Sequence, residues 1–157
     1  MLTIVRNADI FASTMQTITN PVNCVGVMGK GLALAFKLRF PHHFFYYKSL
    51  CSTHRLRPGI LATFEEEDRN ILLFPTKDHW RNPSRIEYIE EGLKYLAQNY
   101  KELGIQSLTL PPLSFDFVFS RFASPGCGLG GLNVKDVSNL CQKYLEPLPI
   151  PVELYIP

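Results

Sequence analysis

Apolar runs and amphipathic stretches alternate along this chain, separated by turns and glycine loops, and that alternation is what most restricts the folds open to it. Leu2 to Val5 and Thr17 to Val22 read as strands, the second reaching the turn-prone pair Asn20 and Pro21. Helix formers at helical spacing follow from Gly31 and stop before Pro41. Ile60 to Phe64 and Asn70 to Pro75 read as two strands joined by the acidic run Glu65, Glu66, Glu67, Asp68 and Arg69, expected to be a solvated hairpin tip. Ser84, with Glu87 three positions on, has the form of a capping box for a helix whose apolar positions are Ile86, Ile89, Leu93 and Leu96 and whose end suits Gly104. Ile105 to Leu110 then reads as a buried strand, and Val134 to Leu145 as a second amphipathic helix that closes before Pro147. Val152, Leu154 and Ile156 alternate as in a half-buried final strand. The order argues for an α/β layered domain rather than all-α or all-β pieces.

At 157 residues the chain is long enough for one core without staples. Its four cysteines form no CxxC pair and the four histidines stand at no zinc spacing from them, which argues against a structural metal. The amino terminus has no basic leader before a long apolar run, and no stretch approaches the ~20 apolar residues of a membrane span. A cytoplasmic protein with reduced thiols and no membrane partner is expected. A formal charge of +2 leaves nucleic-acid binding open, because local clustering of Lys and Arg makes a phosphate footprint.

Two glycine loops point to function. In CVGVMGKGLALAF, Cys24 to Phe36, Gly26, Gly29 and Gly31 stand between a strand and a helix, where free N–H groups and the helix dipole favour an anion. The spacing is too short for a P-loop, and Gly31 rather than Ser or Thr follows Lys30. Leu34 occupies the third glycine position of a Rossmann fingerprint. A second loop, GCGLGGL from Gly126 to Leu132, also leads into a helix, with Asn133 as its cap. Two such loops at strand ends of one sheet suit a pyrophosphate flanked by a nucleotide and a sugar.

TNPVN (Thr19 to Asn23), VGVMGKGLAL (Val25 to Leu34), FPTKDHWRNPS (Phe74 to Ser84) and the separated LPPL and GCGLGGL resemble a macrodomain over nearly the whole chain. The resemblance is to the lysine-containing branch, and within it to the DarG type, the antitoxins that reverse DNA ADP-ribosylation by DarT-type toxins. It implies a single three-layer α/β/α domain over 1–157 with a central mixed sheet that binds ADP-ribose and needs no cofactor. In the family pattern Asp9 and Ile10 meet the adenine, with Ala8 where Gly is usual; Asp9 also suits a local helix cap. Val27, Met28, Gly29, Lys30, Gly31 and Leu32 match one side of the pyrophosphate site, and Gly126, Cys127, Gly128, Leu129, Gly130 and Gly131 the other. Asn23 matches the distal-ribose contact; Asn20 either joins it or stabilises the turn.

By the same resemblance Lys77 is the nucleophile, attacking the anomeric carbon of the distal ribose and forming a transient lysyl–ADP-ribose adduct. A cleft edge beside His79, Trp80 and Arg81 favours the neutral, nucleophilic amine. The protein-directed branch has an Asp in its second glycine loop where this chain has Gly130. That difference directs the expectation toward ADP-ribosylated thymidine in single-stranded DNA. His79, Trp80, Arg81 and Arg85 are the candidate DNA contacts, with His79 also a candidate proton donor to the leaving base. Trp80 as a core anchor and Arg85 as a helix-surface charge are the competing readings. A non-catalytic ADP-ribose-binding module, and a hydrolase of protein or O-acetyl-ADP-ribose substrates, are the alternative functions. Between LPPL and GCG this chain carries SFDFVFSRFASP, residues 114–125, holding four of its eleven Phe; this reads as an aromatic insertion, natural or grafted, that forms a hairpin or lid in need of a cover.

Overall fold

The computed structural model describes residues 1–113 and 132–156. The second glycine loop, Gly126–Gly131, and the aromatic insertion at 114–125 lie outside the described residues. Strands β1 (Leu2–Arg6), β2 (Thr17–Val22), β3 (Ala62–Glu66), β4 (Arg69–Pro75), β5 (Leu108–Leu110) and β6 (Val152–Ile156) form one sheet in the order β1-β6-β5-β2-β4-β3. The sheet is mixed: β3 pairs antiparallel with β4, as expected for the hairpin, and every other neighbouring pair is parallel. Helices α1 (Gly31–Arg39), α2 (Pro41–Ser52), α3 (Ile86–Asn99) and α4 (Val134–Leu145) complete the elements, with a short 3-10 turn at Ile10–Ala12.

Side chains that alternate along each strand divide the core between the two faces. Leu72 and Phe74 of β4, Leu108 and Leu110 of β5, and Val152 and Leu154 of β6 pack against Ile89, Leu93 and Leu96 of α3 and Val137, Cys141 and Leu145 of α4. Their neighbours turn the other way: Ile18, Ile71 and Tyr155 meet Leu32 and Phe36 of α1, while Val22 and Leu73 meet Tyr47 and Leu50 of α2. β6 is therefore covered on both faces rather than half-buried, because Val152 and Leu154 pack on the α3 and α4 side and Tyr155 fills the α1 side.

Local capping chemistry is met at α4, where Asn133 Oδ1 accepts from the N–H groups of Lys135 at 2.8 Å and Asp136 at 3.2 Å. Two expectations change. The residue capping α3 is Arg85, with no side-chain cap bond, and Ser84 is instead buried just ahead of the helix. The acidic hairpin run is only partly solvated. Glu65, Glu67 and Asp68 are exposed, but Glu66 is buried and accepts from the N–H groups of His42 (3.1 Å) and His43 (2.7 Å). Its carboxylate thus caps the exposed donors at the start of α2, where the helix dipole favours negative charge.

Helix α2 itself has no counterpart in the sequence reading. Pro41 opens it with a φ already suited to a helix. Its buried face carries His43 and Tyr47 along with Leu50 and Cys51, whereas Phe45 is 67% exposed, so the apolar stripe is blurred.

Candidate functional site

β2 and β4 run parallel, so both deliver their following residues to the same end of the sheet. Their ladder continues past the strands: the Thr76 N–H donates to the Val22 carbonyl at 2.9 Å, and the Cys24 N–H to the Asp78 carbonyl at 2.9 Å. Asn23 and Lys77, fifty-four positions apart, are thereby held as neighbours on adjoining chain segments. Both line a cavity of about 300 Å³, with Pro21, Val22, Val27, Gly29, Lys30, Ala33, Thr76 and Trp80 as its other lining residues among those described. This is the carboxyl end of parallel strands, the usual ligand position in open α/β sheets.

The loop after β2 is built by one side chain. Asn23 Oδ1 accepts from the Val25 N–H at 3.1 Å and the Val27 N–H at 3.5 Å, while Asn23 Nδ2 donates to the Val27 carbonyl at 2.9 Å. Gly26 turns within that loop at φ +81°, and Gly31 begins α1 at φ +62°; both conformations favour glycine. The amino end of α1 consequently opens beside the cavity, with N–H groups that lack intrahelical partners.

The first-loop residues separate into two kinds. Val27, Gly29 and Lys30 line the cavity. Met28 and Leu32 have buried side chains in the core, and Gly31 is buried at the helix start, so these three offer backbone groups only. Asn20 lies beneath the cavity: it is fully buried, and its Nδ2 donates to His43 Nε2 at 3.1 Å. His43 Nδ1 is paired with the Phe40 carbonyl, which assigns the ring proton to Nδ1 and leaves Nε2 as the acceptor. Burial also holds the His43 pKa below its ordinary value, favouring this neutral form. Asp9 is exposed and its Oδ1 accepts from the Phe11 N–H at 3.0 Å, so the local-cap role is realised. Ile10 is buried in the core beside it, and neither residue belongs to the lining of this cavity.

Lys77 is 6% exposed, a buried lysine on a cavity wall rather than a surface charge. Beyond it Trp80 is 46% exposed at the cavity, not a core anchor. The Arg81 guanidinium lies 4.7 Å from the Trp80 ring centroid and the His79 ring 5.2 Å from it. The Arg81 N–H donates to His79 Nδ1 at 3.1 Å, which places the ring's available N–H on Nε2. Arg85 is exposed at the cap of α3. Thr76, Pro21 and Val22 join the site through the pairing of β2 with β4 and Ala33 through the first turn of α1; all four lie inside the motifs of the sequence, which single out none of them. Tyr47 and His43 beneath it belong to α2; their spacing of four was the signal available. Among the described residues no group of three or more His, Cys, Asp or Glu could hold a metal ion, and no helix is long and apolar enough to cross a membrane.

The cysteine of the loop is chemically quiet. Burial, with Cys51 and Asp78 nearby, pushes the Cys24 thiol up to about 12, and burial alone does the same for Cys141. At pH 8 roughly one molecule in 10⁴ then carries either thiolate, the form that alkylates. Iodoacetamide at that pH is expected to leave Cys24 and Cys141 unmodified in the folded protein and to label both in denaturant, as read by peptide mass mapping.

The comparisons with known proteins agree with this architecture. The Macro domain family profile matches residues 19–119. A DNA ADP-ribosyl transferase–DNA ADP-ribosyl glycohydrolase fusion protein of Thermosipho africanus is 41% identical over 168 residues, covering 95% of this chain and 40% of its own length. The chain thus spans about 40% of the length of the curated relatives it matches. Among solved structures, the macrodomain of Thermus aquaticus DarG superposes with a TM-score of 0.85 at 39% identity, covering 100% of this chain and 99% of that one. Thermosipho africanus DarTG in complex with ADP-ribose superposes with a TM-score of 0.82 at 42% identity, covering 99% and 41% of the two chains. A six-stranded mixed sheet between helices, a glycine loop at its carboxyl end and a profile match across most of the chain have one meaning: this chain belongs to the macrodomain family.

Proposed function

We propose that this macrodomain is a DNA ADP-ribosyl glycohydrolase acting in the cytoplasm, removing ADP-ribose from thymidine in single-stranded DNA and so countering a DarT-type toxin. The observation that carries the reading is the buried Lys77 on the cavity wall beside Asn23. ADP-ribose enters with its pyrophosphate over Val27 to Leu32, where the start of α1 supplies N–H donors, and with its adenosine toward Asp9 and Ile10. The family pattern assigns Gly126 to Gly131, which lie outside the described residues, to the other side of the pyrophosphate. The distal ribose lies between Asn23 and Lys77.

Lys77 Nζ then attacks the anomeric carbon. A C–N bond forms to the lysine, the bond from that carbon to the base nitrogen breaks, and its electron pair leaves with the base, which takes up a proton. Water releases ADP-ribose from the adduct and restores the amine. His79, with Nε2–H available, is the nearby donor that can assist the base. Trp80, flanked by Arg81, offers a face on which a base stacks, and Arg81 and Arg85 meet strand phosphates.

The test is incubation with an ADP-ribosylated single-stranded oligonucleotide, followed by chromatography and mass spectrometry. Restored thymidine and free ADP-ribose are expected under multiple turnover. ADP-ribose binding with no release at stoichiometric protein would replace this reading by that of a binding module.

A further inference from the structure

Helix α2 contributes nothing to the cavity lining, yet one stripe of it supports the loop that does. His43, Tyr47 and Cys51 stand four residues apart, hence on one helix face, and all three are buried. They meet the segment leaving β2 at successive points. His43 accepts from Asn20 at 3.1 Å, the Tyr47 hydroxyl lies 2.6 Å from Asn23 Oδ1, and a Cβ on Gly26 would sit 3.8 Å from Cys51 Cβ.

The middle contact has a chemical consequence. A side-chain amide can be turned end for end, exchanging donor and acceptor. At Asn23 it cannot. Oδ1 faces three donors, the Tyr47 hydroxyl and the N–H groups of Val25 and Val27, whereas Nδ2 faces the Val27 carbonyl. Reversal would set Nδ2 against the N–H groups of Val25 and Val27 and Oδ1 against the Val27 carbonyl, whereas the Tyr47 hydroxyl, able to accept as well as donate, fastens the amide without choosing its sense. The Tyr47 contact is the shortest of these, and among the described residues Tyr47 is the only member outside the loop itself. Its oxygen also lies 3.0 Å from the Asn23 carbonyl and 3.4 Å from that of Val27, and its single proton serves the nearer Oδ1. Burial raises the Tyr47 pKa far above its usual range, so the phenol remains a donor at any working pH.

We propose that Tyr47 is a positioning residue: it anchors the Asn23 amide in the sense that the loop's own N–H and carbonyl groups set, leaving the second Nδ2 hydrogen as a donor to an oxygen of the sugar bound beside Lys77. This rests on the reading of the cavity as an ADP-ribose site. The recognised ligand atom is therefore a hydrogen-bond acceptor, a hydroxyl or ring oxygen of the distal ribose.

The experiment is a double-mutant cycle on the whole chain, with ADP-ribose affinity by calorimetry as the primary readout and oligonucleotide turnover as the second. Asn23→Ala is expected to weaken ADP-ribose about tenfold and Tyr47→Phe about fivefold. The double variant is expected to bind no more weakly than Asn23→Ala alone, since Tyr47 acts through that amide. A merely structural tyrosine would instead multiply the two losses, and that result, or an unchanged Tyr47→Phe, overturns the proposal. Asn23→Asp provides a check that leaves Tyr47 intact: the carboxylate still accepts from Tyr47, Val25 and Val27 but has no hydrogen to give. Weakening at least equal to that of Asn23→Ala is expected, and wild-type affinity would refute the donor role. Wild-type protein that binds ADP-ribose without turnover removes the glycohydrolase reading while leaving the binding cycle decisive. Absence of ADP-ribose binding by the wild-type chain overturns both.

Discussion

Lys77→Ala is expected to bind ADP-ribose within a few fold of the wild-type chain and to lose at least ~10³-fold in the rate of its release from DNA. Binding survives because the loop of Asn23 to Lys30 is organised by its own hydrogen bonds and by Tyr47, none of which involves the lysine side chain. Turnover does not, because the amine beside Asn23, where the distal ribose is proposed to lie, is then gone, and Lys30, the other lysine of the lining, belongs to the pyrophosphate loop. Lys77→Arg separates nucleophile from charge. A guanidinium keeps the positive charge but stays protonated at all working pH values and is no nucleophile. Both variants are therefore expected to be inactive in single-turnover assays. Full activity of Lys77→Arg would mean that the position acts electrostatically, and full activity of Lys77→Ala would remove it from the chemistry.

The second large effect concerns stability three residues before that lysine. Gly92, in the middle of α3, faces Phe74 of β4 so closely that a Cβ would come within 2.5 Å of the ring Cζ and 2.7 Å of Cε1. Phe74 is fully buried, so the ring has nowhere to retreat. On an exposed helix face Gly→Ala stabilises by about 1 kcal/mol. Here overpacking of about 1–3 kcal/mol, set by a contact that real Cβ atoms do not make, outweighs that gain. Gly92→Ala is expected to lower the melting temperature by several degrees in a circular-dichroism melt. Phe74→Leu in the same chain should recover part of the loss, since the smaller side chain vacates the space the methyl needs. Additive losses in the double variant would show that the two positions do not share one packing contact.

Legibility from sequence followed the range of the interactions involved. Helix α4 and its Asn133 cap were readable because cap and capped N–H groups lie within three residues. The strands of β2 and β4 and the hairpin of β3 with β4 were readable from apolar runs and a short acidic turn. Nothing local shows that Glu66 is buried, because its partners, His42 and His43, are more than twenty residues away in sequence. Ser84 and Glu87 had the right spacing for a cap, yet the chain enters α3 one residue later, at Arg85. Helix α2 gives only a weak signal because His43 and Tyr47 share its inward face with Leu50 and Cys51 while Phe45 stands outward, which blurs the apolar stripe that marks an amphipathic helix.

The site divides along the same line. Glycines at 26, 29 and 31 before a helix, and a lysine at the end of an apolar strand, are local patterns; they were visible in the residues and carried the family resemblance with them. That Lys77 is buried, that Asn23 stands beside it, and that Tyr47 holds the amide of Asn23 by its oxygen are consequences of parallel pairing between β2 and β4 and of a helix laid against their ends. Parallel strands cannot be joined by a tight turn, so their partners are always distant in sequence. Residue types and short spacings name the chemistry available to this chain, but the pairing register decides which of those groups face one another.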